Sequence, residues 1–260
     1  MRLLRHTGIV AGLTAALMAC SPAERAEAPV GGDREIEAAP LVSDAGPVAI
    51  ELFTSQGCSS CPPADRLVAE LVDDPGLVII SRPVTYWDRL GWRDTLAREE
   101  NTRLQRAYAD NLIRGGGRSY TPQAVVNGRV GLVGSRRQEL EAAIAEARET
   151  QARISIDVEG DPASGFRVTI DGEPKGAATV RLLALDRSET VGIGRGENGG
   201  RSVTYTNVLR DERDLARWTG GVLPLIVAGD HLISAEDDRR AVVVRQGAAG
   251  PILAARYLGS

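Results

Sequence analysis

From Val48 onward the chain alternates between two hydrophobic rhythms. Val48 to Thr54 (VAIELFT) is a compact apolar run with β-branched ends, which predicts a buried strand. Ala64 to Val72 (ADRLVAELV) spaces Leu67, Val68, Leu71 and Val72 as one face of a helix. A second apolar run, LVIISRPV from Leu77, predicts another strand. It is followed by a helix capped by Asp94, with Leu96, Leu104, Ala107, Tyr108 and Leu112 among its apolar positions. Gln123 to Val126 and Arg129 to Val133 flank Asn127-Gly128, a strong hairpin signal. Ser135 with Gln138 forms a capping-box pattern that opens a helix over 136–149. The predicted order is β-α-β-α-β-β-α.

After about Thr150 only the strand rhythm remains. ARISIDVEG and GFRVTIDG alternate cleanly, placing Ile154, Ile156 and Val158 on one face and Phe166, Val168 and Ile170 on another. Further strands are expected at 178–185, 202–208, 223–227, 241–245 and 252–257. Helix-mixed sequence followed by strand-only sequence predicts an α/β domain over 47–150 and a mainly β, sandwich-like domain over 151–260. Gly194-Arg195-Gly196-Glu197-Asn198-Gly199 satisfies G-x-G-x-x-G, but a strand-like segment follows it where a dinucleotide site needs a helix. It reads as a hairpin loop, and no nucleotide is expected.

Ahead of these elements, residues 1–20 carry two arginines and then an apolar run without acids, the pattern of an export signal. That run is shorter than the ~20 residues a spanning helix needs. Its end, Leu17-Met18-Ala19-Cys20, resembles a bacterial lipoprotein processing site, which makes Cys20 a lipid anchor. The alternative is an ordinary signal peptide with a stray cysteine. Residues 21–46, rich in Ala, Pro, Glu and Gly, read as a disordered tether. The expected location is the periplasm or cell envelope, or outside the cell if no anchor is added. Losing Arg2 and Arg5 with the leader takes the net charge from −4 to −6, and nothing suggests a nucleic-acid partner.

The chain has three cysteines, so once Cys20 is set aside only Cys58 and Cys61 can form an internal disulfide. They lie in VAIELFTSQGCSSCPP, and a pair at i and i+3 can be a redox centre, a metal clip or a staple. If the turn opens the helix, both sulfurs lie near backbone N–H groups that lack an intrahelical acceptor. The positive end of the helix then lowers a thiol pKa from about 8.5 to ~7 or below. On this reading Cys58, ahead of the helix, is the more exposed and attacks a substrate disulfide, and Cys61 resolves the mixed disulfide. Pro62 and Pro63 suit a first helical turn.

Tyr120-Thr121-Pro122, just before QAVV, supplies a second element. A C-x-x-C at a helix start with a later proline before a hairpin strand resembles the thioredoxin superfamily, and Pro122 followed by AVVNG is similar to the glutaredoxin-type hairpin. The resemblance implies that Pro122 is cis, faces the disulfide, and that the backbone of Thr121 pairs with substrate. ELFTSQGCSSCPPAD, YWDRLGW, YTPQAVVNGR and GRGENGGRSVTYTNV together resemble a bacterial exported family of unknown function with a thioredoxin-like domain and an appended β-domain. In that family's pattern a histidine and an acid precede Tyr-Trp-Asp, where this chain has Arg82-Pro83-Val84-Thr85. Glu51 stands about where thioredoxins keep an acid that moves protons for the resolving thiol, the alternative being a solvated edge glutamate.

Tyr86, Trp87 and Trp92 are candidates for an aromatic wall beside the disulfide, or for plain core. His231, the only histidine past the leader, argues against Cys-His hydrolysis and four-ligand zinc. No cofactor and no metal is called for. Three functions stay open: an exported thiol-disulfide oxidoreductase acting on protein thiols or disulfides, a module binding an envelope protein with the disulfide as a staple, and a Cu(I) carrier using both thiolates.

Overall fold

The computed structural model describes residues 46–111, 113–115, 117–228 and 238–259. All belong to one compact unit, Val42–Ser260. The elements run β1 (Val48–Thr54), α1 (Pro62–Leu71), β2 (Leu77–Pro83), a 3₁₀ turn (Asp88–Leu90), α2 (Glu99–Asp110), β3 (Gln123–Val126), β4 (Val130–Val133) and α3 (Arg137–Thr150). Strands alone follow: β5 (Ile154–Asp161), β6 (Gly165–Gly172), β7 (Ala178–Gly192), β8 (Ser202–Trp218), β9 (Leu223–Val227), β10 (Arg239–Gln246) and β11 (Ile252–Leu258).

Periodicity therefore located every strand it claimed, but the assembly differs from the expected one. Eight strands form one mixed sheet in the order β11-β10-β7-β8-β2-β1-β3-β4, and β5-β6-β9 form a small second sheet. The distinct thioredoxin-like α/β domain and separate β-sandwich are thus corrected to a mostly β architecture in which one large sheet runs through both halves. The physical cause is the outer edge of β2. In an isolated α/β domain it would be an open edge. Here β8 takes it through a parallel pairing of Ser81 with Val208, reinforced by Ser81 Oγ donating to the Thr206 carbonyl at 2.6 Å. Asn207, at φ 49°, turns its side-chain amide onto the Ile79 carbonyl at 3.1 Å.

Burial follows from this shared sheet. Val48, Ile50 and Leu52 on one face of β1 pack on Ala64, Leu67 and Val68 of α1 and on Leu140 and Ile144 of α3. The opposite face of β1 and β2, with Ala49, Val78 and Ile80, packs on Leu183, Leu209, Val243 and Ala255 from the other half of the same sheet. Strands buried on both faces read as continuous apolar runs, which is how β1 and β2 appear in the sequence. Val180, Leu182, Val242 and Val244 point the other way and meet Ile156, Phe166 and Val168 of the small sheet.

Two predicted caps are not formed. Asp94 lies five residues before α2, whose N-cap is Arg98, and α3 starts from Arg136 without a side-chain cap. The Asn127-Gly128 turn has positive φ at both residues, 45° and 62°, as a tight hairpin requires.

Candidate functional site

β1 ends at Thr54, and the chain folds into two successive tight turns, with Cys58 N–H donating to the Ser55 carbonyl at 3.1 Å and Cys61 N–H to the Cys58 carbonyl at 3.2 Å. These turns bring the cysteine Cα atoms to 5.4 Å, and the sulfurs form a Cys58–Cys61 disulfide. Cys61 is the N-cap of α1, with Pro62 and Pro63 in its first turn. Neither proline has an N–H, and the next two amides, of Ala64 and Asp65, both donate to the Cys61 carbonyl at 2.8 and 3.1 Å. The first turn offers fewer amides to a thiolate than its position suggests, leaving mainly the helix dipole.

Cys58 and Cys61 are both fully buried, whereas Ser59 and Ser60 are exposed. This corrects the expectation of an exposed Cys58, and a long-range contact seats against the same turn. The tip of the β7–β8 hairpin, which holds the G-x-G-x-x-G segment, lies against the cysteine turn. The buried Asn198 amide donates to the carbonyls of Gln56 at 2.9 Å and Cys58 at 2.8 Å, and Glu197 accepts the Ser59 N–H at 3.0 Å. Trp92 backs this contact. Its indole N–H donates to Gln56 Oε1 at 2.8 Å, and a Cβ on Gly194 would meet the indole at 2.9 Å.

The opposite rim is the loop before β3. The Thr121-Pro122 peptide is cis, Trp87 donates to Thr121 Oγ1 at 2.8 Å, and Ser60 Oγ lies 3.5 Å from the Thr121 carbonyl and 3.3 Å from Cys58 Sγ. Two of the three aromatics singled out in the sequence thus border the turn, each through its indole N–H.

Two buried acids hydrogen-bond the strand end and turn that lead to the cysteines. Asp65 accepts the Thr54 hydroxyl at 2.8 Å on Oδ1, while its buried Oδ2 has no hydrogen-bond partner. Burial, with Asp94 adding repulsion, pushes its carboxyl up to about 7. Asp94 accepts the Gln56 and Leu96 amides at 2.8 and 2.9 Å, yet burial still raises its pKa. Asp65 is four residues past Cys61, a spacing that puts the two on one face at the start of α1.

Glu51 is elsewhere. It alternates with Leu52, so it lies on the face of β1 turned away from α1. There it is fully buried and its Oε1 bonds Arg82 Nε at 2.6 Å and Arg245 Nη2 at 2.7 Å. Its Oε2 accepts the Tyr108 hydroxyl. Burial would raise the Glu51 carboxyl, but the two guanidiniums hold it below its ordinary value. Arg82, in the stretch where the family pattern differs, goes on to Glu212 at 2.9 Å, which also binds Arg181 at 3.0 Å. The cluster joins β1, β2, α2, β7, β8 and β10.

Cys20 and His231 lie outside the described residues. Among the described residues there is no group of three or more His, Cys, Asp or Glu that could hold a metal ion, and no helix is long and apolar enough to cross a membrane.

A family model described as "Protein of unknown function (DUF1223)" matches residues 49–245. The chain belongs to this family. The matched span begins at Ala49, two residues before Glu51, and ends on Arg245, so it takes in the cysteine turn, Asp65, Thr121-Pro122, the hairpin tip and the buried ion cluster. No curated protein matches the chain. A crystal structure of an Agrobacterium tumefaciens protein is similar to it, with 29% identity and a TM-score of 0.70 over 83% of this chain and 96% of that one.

Asp65 was not singled out from the sequence, although CSSCPPAD puts an acid one helical turn past Cys61. Asn198 and Glu197 carried no local signal, because they are about 140 residues from the turn they bind.

Proposed function

We propose that this member of the DUF1223 family is an exported thiol-disulfide exchange protein working toward the reducing end of the redox scale. The observation that carries the reading is the Cys58–Cys61 disulfide at the start of α1, with the Thr121-Pro122 loop beside it through Ser60. In exchange, Cys58 as a thiolate attacks a partner disulfide, forming a mixed disulfide and expelling a partner thiolate. Cys61 then loses its proton, attacks Cys58 Sγ, closes the internal disulfide and releases the second partner thiolate. Asp65, four residues past Cys61 and raised by burial to about 7, is the acid we assign to take the Cys61 proton.

Direction follows from electrostatics. Two buried acids and a proline-blocked helix end stabilise thiolates poorly, which favours the oxidised pair and lowers its potential. The export signal puts the protein in the envelope, with Cys20 as a lipid anchor, where the partners are protein disulfides.

The test is the reduction potential in dithiol buffers. We expect a value between about −300 and −230 mV; one near −120 mV would overturn the direction, and one well below −300 mV would mark an inert staple. The burial of both sulfurs favours a second reading, an envelope-binding module rigidified by the disulfide. A Cys58→Ser variant with full biological activity supports that reading and sinks the first.

A further inference from the structure

We infer that the tip of the β7–β8 hairpin, residues 193–201, is a latch on the disulfide, and that Asn198 and Glu197 determine which thiols reach Cys58. The inference deepens the proposed exchange reaction, but its physical content is accessibility, which can be measured whatever the physiological reaction.

Four observations converge. Both sulfurs lie fully inside the protein, so any attacking group requires a displacement. The hairpin tip occupies three backbone groups of the turn itself: the carbonyls of Gln56 and Cys58, held by Asn198, and the amide of Ser59, held by Glu197. Asn198 is itself braced, its Oδ1 accepting from Arg201 at 3.2 Å. The tip is built to seat closely: Gly194 lies where any Cβ would strike Trp92, and Gly196 and Gly200 hold φ near 80°.

Ile193 anchors the base of the tip among Leu96, Tyr205 and Val208, while beyond it the mostly exposed residues 194–200 meet the turn through hydrogen bonds, the kind of segment that opens locally without global unfolding. Opening frees a donor and two acceptors along one short stretch of backbone beside Cys58. An extended polypeptide can pair with such a row, while a compact thiol cannot.

Reduction by dithiothreitol reads the latch directly. A reagent thiolate attacks Cys58 Sγ, the Cys58–Cys61 bond breaks, and Cys61 leaves as a thiolate that takes up a proton. The second reagent thiol then closes its own ring and releases Cys58. The rate is the fraction of open tip times the intrinsic rate of attack.

Asn198→Ala removes two hydrogen bonds to the turn and is expected to accelerate reduction roughly tenfold. Glu197→Ala, at an exposed position that leaves folding intact, is expected to accelerate it about threefold. Both variants should also narrow the wild-type preference for dithiothreitol over a bulkier cysteine-containing peptide. Equal reduction rates for wild type and Glu197→Ala, with an unchanged peptide-to-dithiothreitol ratio, would overturn the latch even if Asn198→Ala proves unstable. The exchange function fails separately, through an inert potential, with the dithiothreitol result unaffected.

Discussion

Replacing Glu51 by glutamine tests whether the buried ion cluster, rather than the disulfide, is what this carboxylate serves. The substitution keeps shape and removes one charge. Wild-type Glu51 lies within 2.6 and 2.7 Å of two guanidiniums, and all three side chains are at most 1% exposed. Without it Arg82 keeps Glu212 at 2.9 Å, but Arg245 is left with the Tyr108 hydroxyl and the Gly250 carbonyl. At an effective dielectric near 20, a unit pair at ~4 Å is worth about 4 kcal/mol. Two such attractions are lost, and relief of the carboxylate's own desolvation returns part of that. Breaking a buried pair by removing one partner costs about 3–5 kcal/mol. With a urea slope near 2 kcal/mol per molar, the unfolding midpoint followed by tryptophan fluorescence should fall by about 1.5–2.5 M. The rate of disulfide reduction in the folded variant should be unchanged, because Glu51 lies on the far face of β1. A midpoint shift below about 0.5 M, or a reduction rate altered severalfold, would refute the argument.

Three further outcomes follow from the same geometry. Asp65, raised from 3.8 to about 7, binds its proton more tightly folded than unfolded, so its stabilising contribution is complete below pH 3.8 and is lost as pH rises through 7. Asp65→Asn should therefore gain stability over wild type by up to about 4 kcal/mol between pH 4 and 8, and a difference independent of pH in urea titrations would contradict this. Glu212, lowered from 4.5 to about 2 by Arg82, Arg245 and Arg181 against its burial, works in the opposite sense. Its contribution, at most about 3 kcal/mol, is present above pH 4.5 and disappears toward pH 2, so Glu212→Gln should flatten acid unfolding in that window. Gly128→Ala puts a Cβ 2.6 Å from the Gly250 carbonyl at φ 62°, and should cost about 1–3 kcal/mol by thermal unfolding.

The sequence by itself determined the local grammar of this protein. Strand and helix positions are set by which residues within a few positions are apolar, so β1, α1, the Asn127-Gly128 hairpin and the strand-only second half were all readable. The Cys58–Cys61 pairing was the one internal disulfide left once Cys20 was set aside, and the proline before β3 stood out by its context. Caps were less legible: the Asp94 side chain satisfies the Gln56 and Leu96 amides instead of starting α2, a choice made by what packs nearby.

What only the tertiary structure decided is everything that depends on pairing across long separations. Alternation says that β2 and β8 are strands but not that they share an edge, so an eight-stranded sheet runs through both expected units beside the smaller β5-β6-β9 sheet. The same distance hides the charge partners. Glu51 finds Arg245 194 residues away, a buried counter-ion role that neither the proton-carrier nor the solvated-edge reading contained. Asn198 reaches the Cys58 carbonyl across 140 residues, and the cysteines expected at the surface are buried. Hydrophobic periodicity is a property of neighbours in the chain. Whether a buried polar group is satisfied depends on neighbours in space, and at this cysteine turn those come from the far half of the sheet.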